Sequence, residues 1–322
     1  MLYYDRRLPA KLAALLQPDG PLRWLAEYAR SDEQMRIEFR RDQDNRSQGS
    51  IQVYYGRTSP FQVVGRARSP AVLEADETYR QLSSSLFAPS VDLGAAEADL
   101  RRHLAACLAA SPSALVGGEG KVHNALLRRY GVFFREGDPL LAVDSEIQIG
   151  FDKDEVYRTG SAHREEHGRA LKAALSIGNK RDHKKLDVLG ILSGGELALI
   201  EVKDQRGNIR EAACQLAMHL YTFETLRRQT GYDLASVIHG TVAQKIDCGL
   251  LPREAAALRL RRPEHLEMVA VIAAPDNRAD WIQKWEGQLG DVLKGLPTEK
   301  YSVRFWRLSP DDGSIADEHK LL

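Results

Sequence analysis

Between Met35 and Asp76 apolar and polar positions alternate in short runs, RIEFR, SIQVYYG, FQVVGRAR and AVLEAD, broken by Asp, Asn, Ser, Gly and Ser-Pro. A period of two is the one at which successive side chains point to opposite faces of a strand, so this stretch predicts a small antiparallel meander. Beyond it the period lengthens. Helices are predicted over residues 77–87 and 95–110, the second with Leu100, Leu104 and Leu108 at helical spacing.

The stretch SPSALVGGEG, residues 111–120, is rich in small and turn-forming residues. It marks a boundary between an amino-terminal accessory region, 1–112, and a larger region, 113–322. In the larger region the pattern predicts a helix (KVHNALLRRYG), a strand (LLAVDSEIQIGF), a helix over 161–176, a hairpin (LDVLGILSGGELALIEVKD) and a long helix from Ile209 to Arg228. The strand EMVAVIAAP, a helix over 278–295 and the strand YSVRFWRL complete it. Strands interleaved with helices define an α/β class around one mixed sheet, with a smaller β-meander and helical domain before it. Trp281, Ile282, Trp285, Leu289, Val292 and Leu296 share one face of the helix 278–295, a stripe expected to pack on that sheet.

Composition narrows the function classes. An apolar share of 43% over 322 residues supports a sizeable core. Lysine plus arginine equals aspartate plus glutamate at 45 each, so no overall charge announces a polyanionic partner, although a local basic face is still allowed. Cys107, Cys214 and Cys248 are odd in number and form no CxxC, which argues against a disulfide framework or zinc knuckle and leads to an expectation of a reducing cytoplasm. The opening MLYYDRRLPAKLAALLQ lacks the apolar core of a secretory signal. The longest apolar run, Met268 to Pro275, falls far short of the ~20 residues of a membrane helix, so no membrane association is expected. No GxxxxGK[ST], GxGxxG or GxSxG motif supports an ATP-driven motor, a dinucleotide enzyme or an α/β-hydrolase.

The hairpin carries the chemistry. Along its second strand Glu201 and Lys203 share a face, while Ala198, Ile200 and Val202 share the other. Whether Asp187 joins them depends on the turn. A two-residue turn at Gly194-Gly195 sets Asp187 opposite Val202, whereas a three-residue loop with a left-handed glycine sets it opposite Glu201. In the second register two carboxylates meet at the sheet's rim, a hard-oxygen set suited to Mg²⁺ or Mn²⁺, to which the backbone carbonyl of Val202 adds a further ligand. A lysine beside them is placed to hold an attacking water or to meet charge developing on a phosphate oxygen.

This run resembles the core signature of the PD-(D/E)XK, or restriction-endonuclease-like, nucleases: an acid opening one strand, a turn, then acid-x-lysine ending the next apolar strand. Asp187, Glu201 and Lys203 match those positions, with Leu186 where the family's name has proline. The resemblance implies a restriction-endonuclease-like core, a Mg²⁺ or Mn²⁺ cofactor and hydrolysis of nucleic acid, DNA ahead of RNA. A glutamine on the following helix is matched by Gln215, 12 residues after Lys203. An upstream glutamate is matched best by Glu146, with Glu119, Glu165 and Glu166 as alternatives. The amino-terminal region is then expected to bind substrate, a partner protein or a second copy. A competing expectation is a scaffold that keeps this fold and holds nucleic acid without cutting it.

Acid-x-lysine triplets also occur at Glu119-Gly-Lys121 and Asp182-His-Lys184, but neither ends an apolar strand with an acid on its hairpin partner. Arg164, Arg169, Lys172, Lys180, Arg181, Lys184 and Lys185 gather just ahead of Asp187 and form a candidate phosphate-tracking patch. Arg259, Arg261 and Arg262 make a weaker one. His163, His167, His183 and His219 show no zinc-ligand spacing and read as surface residues or as supports for a site rather than ligands.

Overall fold

The computed structural model describes residues 2–41, 49–56, 58–65, 71–88, 91–110, 119–151, 185–203, 209–261, 266–275 and 301–320. The predicted helices 161–176 and 278–295, the basic run from Arg164 to Lys184, and Glu165 and Glu166 lie outside the described residues, as does most of the predicted boundary at 111–120.

The predicted meander is present. Strands β2 (Met35–Arg41), β3 (Gly49–Tyr55), β4 (Thr58–Gly65) and β5 (Val72–Glu74) pair antiparallel in that order. Ile37, Phe39, Ile51, Val53, Phe61 and Val63 form its inner face. They pack with Leu12, Leu25, Leu100 and Leu104, which lie on α1 (Ala10–Ala13), α2 (Arg23–Ser31) and α4 (Glu97–Ala110). A short helix, α3 (Glu77–Arg80), opens where Asp76 accepts from the amide of Thr78, an N-cap that satisfies one otherwise orphaned donor.

A second, mixed sheet has the order β12-β11-β10-β9-β8-β6. Its strands are β6 (Leu140–Ile147), β8 (Leu186–Leu192), β9 (Leu197–Val202), β10 (Met268–Pro275), β11 (Tyr301–Leu308) and β12 (Ile315–Lys320). β6, β8 and β9 run antiparallel, β10 is parallel to both β9 and β11, and β12 returns antiparallel on the edge. Leu189, Ile191, Leu197, Leu199 and Ile272 pack against Leu216, Leu220 and Phe223 of α6 (Ile209–Arg227) and Ile238 and Val242 of α7 (Leu234–Asp247). On the opposite face Val188, Ile200, Val202 and Val271 pack with Val122 and Leu126 of α5 (Glu119–Leu127) and with Trp306. The apolar residues of β8 and β9 are therefore core on both faces, as in a strand pair covered by helices.

The two sheets are braced by buried charge. Lys245 on α7 donates to Glu38 of β2 at 2.9 Å and to the carbonyl of Val143 in β6 at 2.8 Å. Arg40 of β2 and Arg6 lie 3.4 and 3.2 Å from the carboxylate of Asp144 in β6. Further on, the side-chain amide of Gln244 exchanges two hydrogen bonds with the backbone of Leu8, at 2.6 and 2.9 Å. Cys248 and Leu250 belong to the same apolar cluster as the meander, so the amino-terminal residues share a core with the carboxy-terminal half. A two-residue pairing of β1 (Leu2–Tyr3) with β7 (Gly150–Phe151) adds to the same join. Among the described residues no helix is long and apolar enough to cross a membrane.

Candidate active site

The turn decides the site. Leu192 donates to the carbonyl of Glu196 at 2.9 Å, and Gly195 donates back to the carbonyl of Leu192 at 2.8 Å, which leaves the three-residue loop Ser193-Gly194-Gly195. Gly195 has φ of 85°, the left-handed conformation that such a loop requires and that a side chain resists. The ladder then pairs Ile191 with Leu197, Gly190 with Ala198, Leu189 with Leu199 and Val188 with Ile200. One step further along that ladder, Asp187 stands opposite Glu201.

The structure brings three sequence-predicted residues together. Oδ2 of Asp187 accepts the amide of Val202 at 2.8 Å. Lys203 Nζ lies 3.4 Å from Glu201 Oε2 and 4.0 Å from Asp187 Oδ2, so one ammonium spans both carboxylates. Glu201 and Lys203 are buried, with 1% and 8% exposure, while Asp187 keeps 23% of its side chain in contact with solvent. Burial, and after it the neighbouring Glu201 carboxylate, push the Asp187 carboxyl up to about 7 against the opposing pull of His123 and Lys203. At neutral pH Asp187 therefore carries only part of its charge.

Helix α6 supplies the roof. Gln215 and His219 are one turn apart, on one face of the helix, and both are buried. Gln215 Oε1 has no hydrogen-bond partner among the described residues. His219 was legible only as a surface or supporting residue, yet the fold seats its Nε2 3.4 Å from Glu201 Oε1. Desolvation drives its pKa down to about 4, so the ring is neutral at physiological pH. On α5, His123 Nε2 lies 3.1 Å from the carbonyl oxygen of Asp187, and burial lowers its pKa too. Nothing in the spacing of KVHNALL marks His123 as a neighbour of the site; only the packing of α5 reveals it.

Glu146 lies on β6, the strand next to β8. A bulge between Ala142 and Asp144 shifts the β6–β8 ladder so that position 146 falls opposite 187, between the pairs Ser145–Val188 and Ile147–Leu186. Its backbone, however, has φ of 48°, and its carboxylate receives Tyr54 and Lys185, each at 3.4 Å. Arg40, Lys185 and Arg36 hold that carboxyl below its ordinary value. Lys185, exposed beside it, is the one member of the predicted basic run within the described residues. The side chain of Glu119, the other upstream candidate, lies outside them. A separate cleft of about 330 Å³, lined by Lys121, Asn124, Arg128, Phe133 and Asp312 among others, contains none of the predicted site residues.

At Asp187 and Glu201 the described residues bring together two carboxylates, the Lys203 ammonium that spans them and the His219 ring, whose Nε2 lies 3.4 Å from Glu201 Oε1. Two carboxylates that meet at the end of a strand pair are hard oxygen ligands of the kind that hold Mg²⁺ or Mn²⁺. The donor set fits a divalent cation. No three His, Cys, Asp or Glu residues among those described form a ready-made cage. Mg²⁺ is commonly held through only one or two carboxylates, with water filling the remaining positions. Comparison with protein-family models, curated proteins and solved structures finds no significant match.

Proposed function

We propose that this protein is a divalent-cation-dependent nuclease of the PD-(D/E)XK type that hydrolyses phosphodiester bonds in nucleic acid, DNA ahead of RNA. The observation that carries this reading is the register: a three-residue loop aligns Asp187 with Glu201 and lets Lys203 reach both. The acid, turn, acid-x-lysine order of the family signature thus falls on two paired strands with their charged ends together, and the helix bearing Gln215 covers the same face.

In this reading Asp187 and Glu201, with the Val202 carbonyl, hold Mg²⁺ or Mn²⁺. A bound cation supplies a more acidic water and offsets charge on the phosphate oxygens. Lys203, restrained by the two carboxylates, orients the attacking water or meets the charge that builds on a non-bridging oxygen. Gln215 orients that water from the helix side. Lys185 and the basic run ahead of it track the phosphate backbone, a contribution that weakens with salt.

The test is incubation with single-stranded, duplex and branched DNA, and with matched RNA, in Mg²⁺ or Mn²⁺ beside Asp187→Ala and Lys203→Ala. Cleavage that stops in EDTA and in both variants supports the proposal. Cleavage that survives both substitutions assigns the activity to another source.

A further inference from the structure

The cleft of about 330 Å³ has the size of a small-ligand pocket. Lys121, Asn124, Ala125 and Arg128 line it at i, i+3, i+4 and i+7, one face of a helix, whereas His123 turns the other way toward Asp187. Arg128 is its buried charge, 4% exposed. Nη1 of that guanidinium donates to the carbonyls of Ala29 and Met35, neutral partners both, and Nη2 has no hydrogen-bond partner among the described residues. Asn124, one turn earlier and also buried, leaves Oδ1 without a partner among them. The amide of Phe133 donates to the Arg128 carbonyl at 2.8 Å, five residues back, a π-type turn of the kind that often marks functional sites. That turn sets the Phe133 ring 4.9 Å from the guanidinium while leaving the side chain 42% exposed. Lys121, Glu33, Asp311 and Asp312 complete the wall with exposed charges.

We propose that this cleft binds a nucleoside 5′-monophosphate. Its phosphate belongs with Arg128 and Lys121. A phosphate monoester carries a charge of about −1.5 to −2 at neutral pH, which two cations match and which a ligand with a single carboxylate does not supply. The charge of Arg128 is buried and acts through low-dielectric surroundings, so it attracts that anion more strongly than an exposed cation does. The base belongs with Phe133, because a planar ring gains from stacking on an exposed aromatic face whatever its hydrogen-bonding edge. The sugar hydroxyls belong with the carboxylates, as acidic side chains accept from ribose in dinucleotide sites. Glu33, Asp311 and Asp312 are exposed, so water and salt screen their repulsion of one phosphate. Three carboxylates in the wall disfavour a longer polyanion, and this selects a single nucleotide over a strand. The cleft shares no residue with the Asp187–Glu201 site, and the inference does not depend on phosphodiester hydrolysis.

The experiment uses the full chain without nucleic acid, in EDTA at pH 7.5. Adenosine 5′-monophosphate, uridine 5′-monophosphate, adenosine and inorganic phosphate are each titrated calorimetrically into the parent, Phe133→Ala, Lys121→Ala and Asp187→Ala. Phe133 and Lys121 are both exposed, so their substitution leaves the core intact. The expected result is saturable binding of both monophosphates at one site, with adenosine and inorganic phosphate each at least about tenfold weaker. Affinity for the monophosphates is expected to fall at least about fivefold in Phe133→Ala and about threefold or more in Lys121→Ala, and to stay at the parent's value in Asp187→Ala. No saturable binding, inorganic phosphate bound as tightly as the nucleotides, or unchanged affinity in folded Phe133→Ala or Lys121→Ala overturns the inference. Binding lost in Asp187→Ala overturns it too, by placing the nucleotide at the other site. Binding that follows the expected pattern in a protein that cleaves no nucleic acid leaves this inference standing and removes the nuclease reading; cleavage without nucleotide binding at the cleft does the reverse.

Discussion

The backbone amide of Val202 donates to Oδ2 of Asp187 at 2.8 Å, across the hairpin and beside the point where Asp187 faces Glu201. The bond ties a side chain of β8 to the main chain of β9 and favours the ionised carboxylate. Burial and the charge of Glu201 outweigh it, and the carboxyl titrates near 7.

A pH signature follows for the cation-free protein. Asp187 is raised from an ordinary 3.8 to about 7, so between those values the folded state keeps a proton that the unfolded state has lost. This contribution to stability is present below about pH 4, declines as pH rises through the window, and is gone above 7. Asp187→Asn removes the dependence while keeping an acceptor for Val202. In EDTA the variant is expected to match the parent at pH 4 and to exceed it at pH 8 by about 1–3 kcal/mol in urea unfolding. That range discounts the full shift, at ~1.4 kcal/mol per pKa unit, because the carboxylate is partly solvated.

His219 works in the opposite direction. Its pKa is lowered from 6.5 to about 4, so the unfolded chain takes up a proton first and stability falls as pH drops from about 6.5 toward 4. Asp187, Lys203 and the Lys185 carbonyl face the ring, together with Glu201. His219→Gln is expected to flatten the acid limb of the stability profile in EDTA, read from unfolding midpoints at pH 4.5, 5.5 and 6.5.

The turn glycines are expected to differ. A Cβ on Gly195 would stand 2.4 Å from Arg261 Cγ and 2.9 Å from the Arg259 carbonyl, on a backbone of φ 85°. A Cβ on Gly194 would meet only the carboxylate of Glu196, which can swing aside. Gly195→Ala should therefore cost about 1–3 kcal/mol and Gly194→Ala less than about 1 kcal/mol in thermal unfolding. Because Gly195 sets the register, its substitution should also weaken cation binding.

The brace between the sheets gives a fourth stability test. Lys245 and Glu38 each keep 6% of their side chains exposed, and Lys245, Arg40 and Arg36 hold the Glu38 carboxyl well below its usual range. Lys245→Met leaves a buried carboxylate and the Val143 carbonyl without their donor, at an expected cost of about 3–5 kcal/mol in chemical denaturation. Glu38→Gln combined with Lys245→Met should recover part of that loss.

The elements legible in the sequence are those whose signals are local. The meander announced itself by period-two runs, and the hairpin by two aliphatic strands around Gly194-Gly195. Asp187, Glu201 and Lys203 were legible because one hairpin carries all three; only their register awaited the structure. Strand β12 was missed because IADEHK, an edge strand with alternate residues exposed, offers no apolar run. Helix α7 was missed because Gly240 and several small residues blur its stripe; there the chain packs closely against Arg7. His123 and His219 became neighbours of the site only through the docking of α5 and α6, and the charges joining β2 to β6 lie about a hundred residues apart in the chain. Glu146 was legible as an acid near the site, but the Ala142–Asp144 bulge and its own left-handed backbone were not.

The central claim is that Asp187, Glu201 and Lys203 form one cation-dependent hydrolytic site. Its most direct test is single-turnover cleavage of the best DNA substrate in Mn²⁺ by the parent, Asp187→Ala and Lys203→Ala, with DNA affinity measured in parallel in Ca²⁺. The predicted result is affinity within about threefold of the parent and a cleavage rate lowered at least ~100-fold in each variant. A variant that cleaves within tenfold of the parent at equal affinity contradicts the claim.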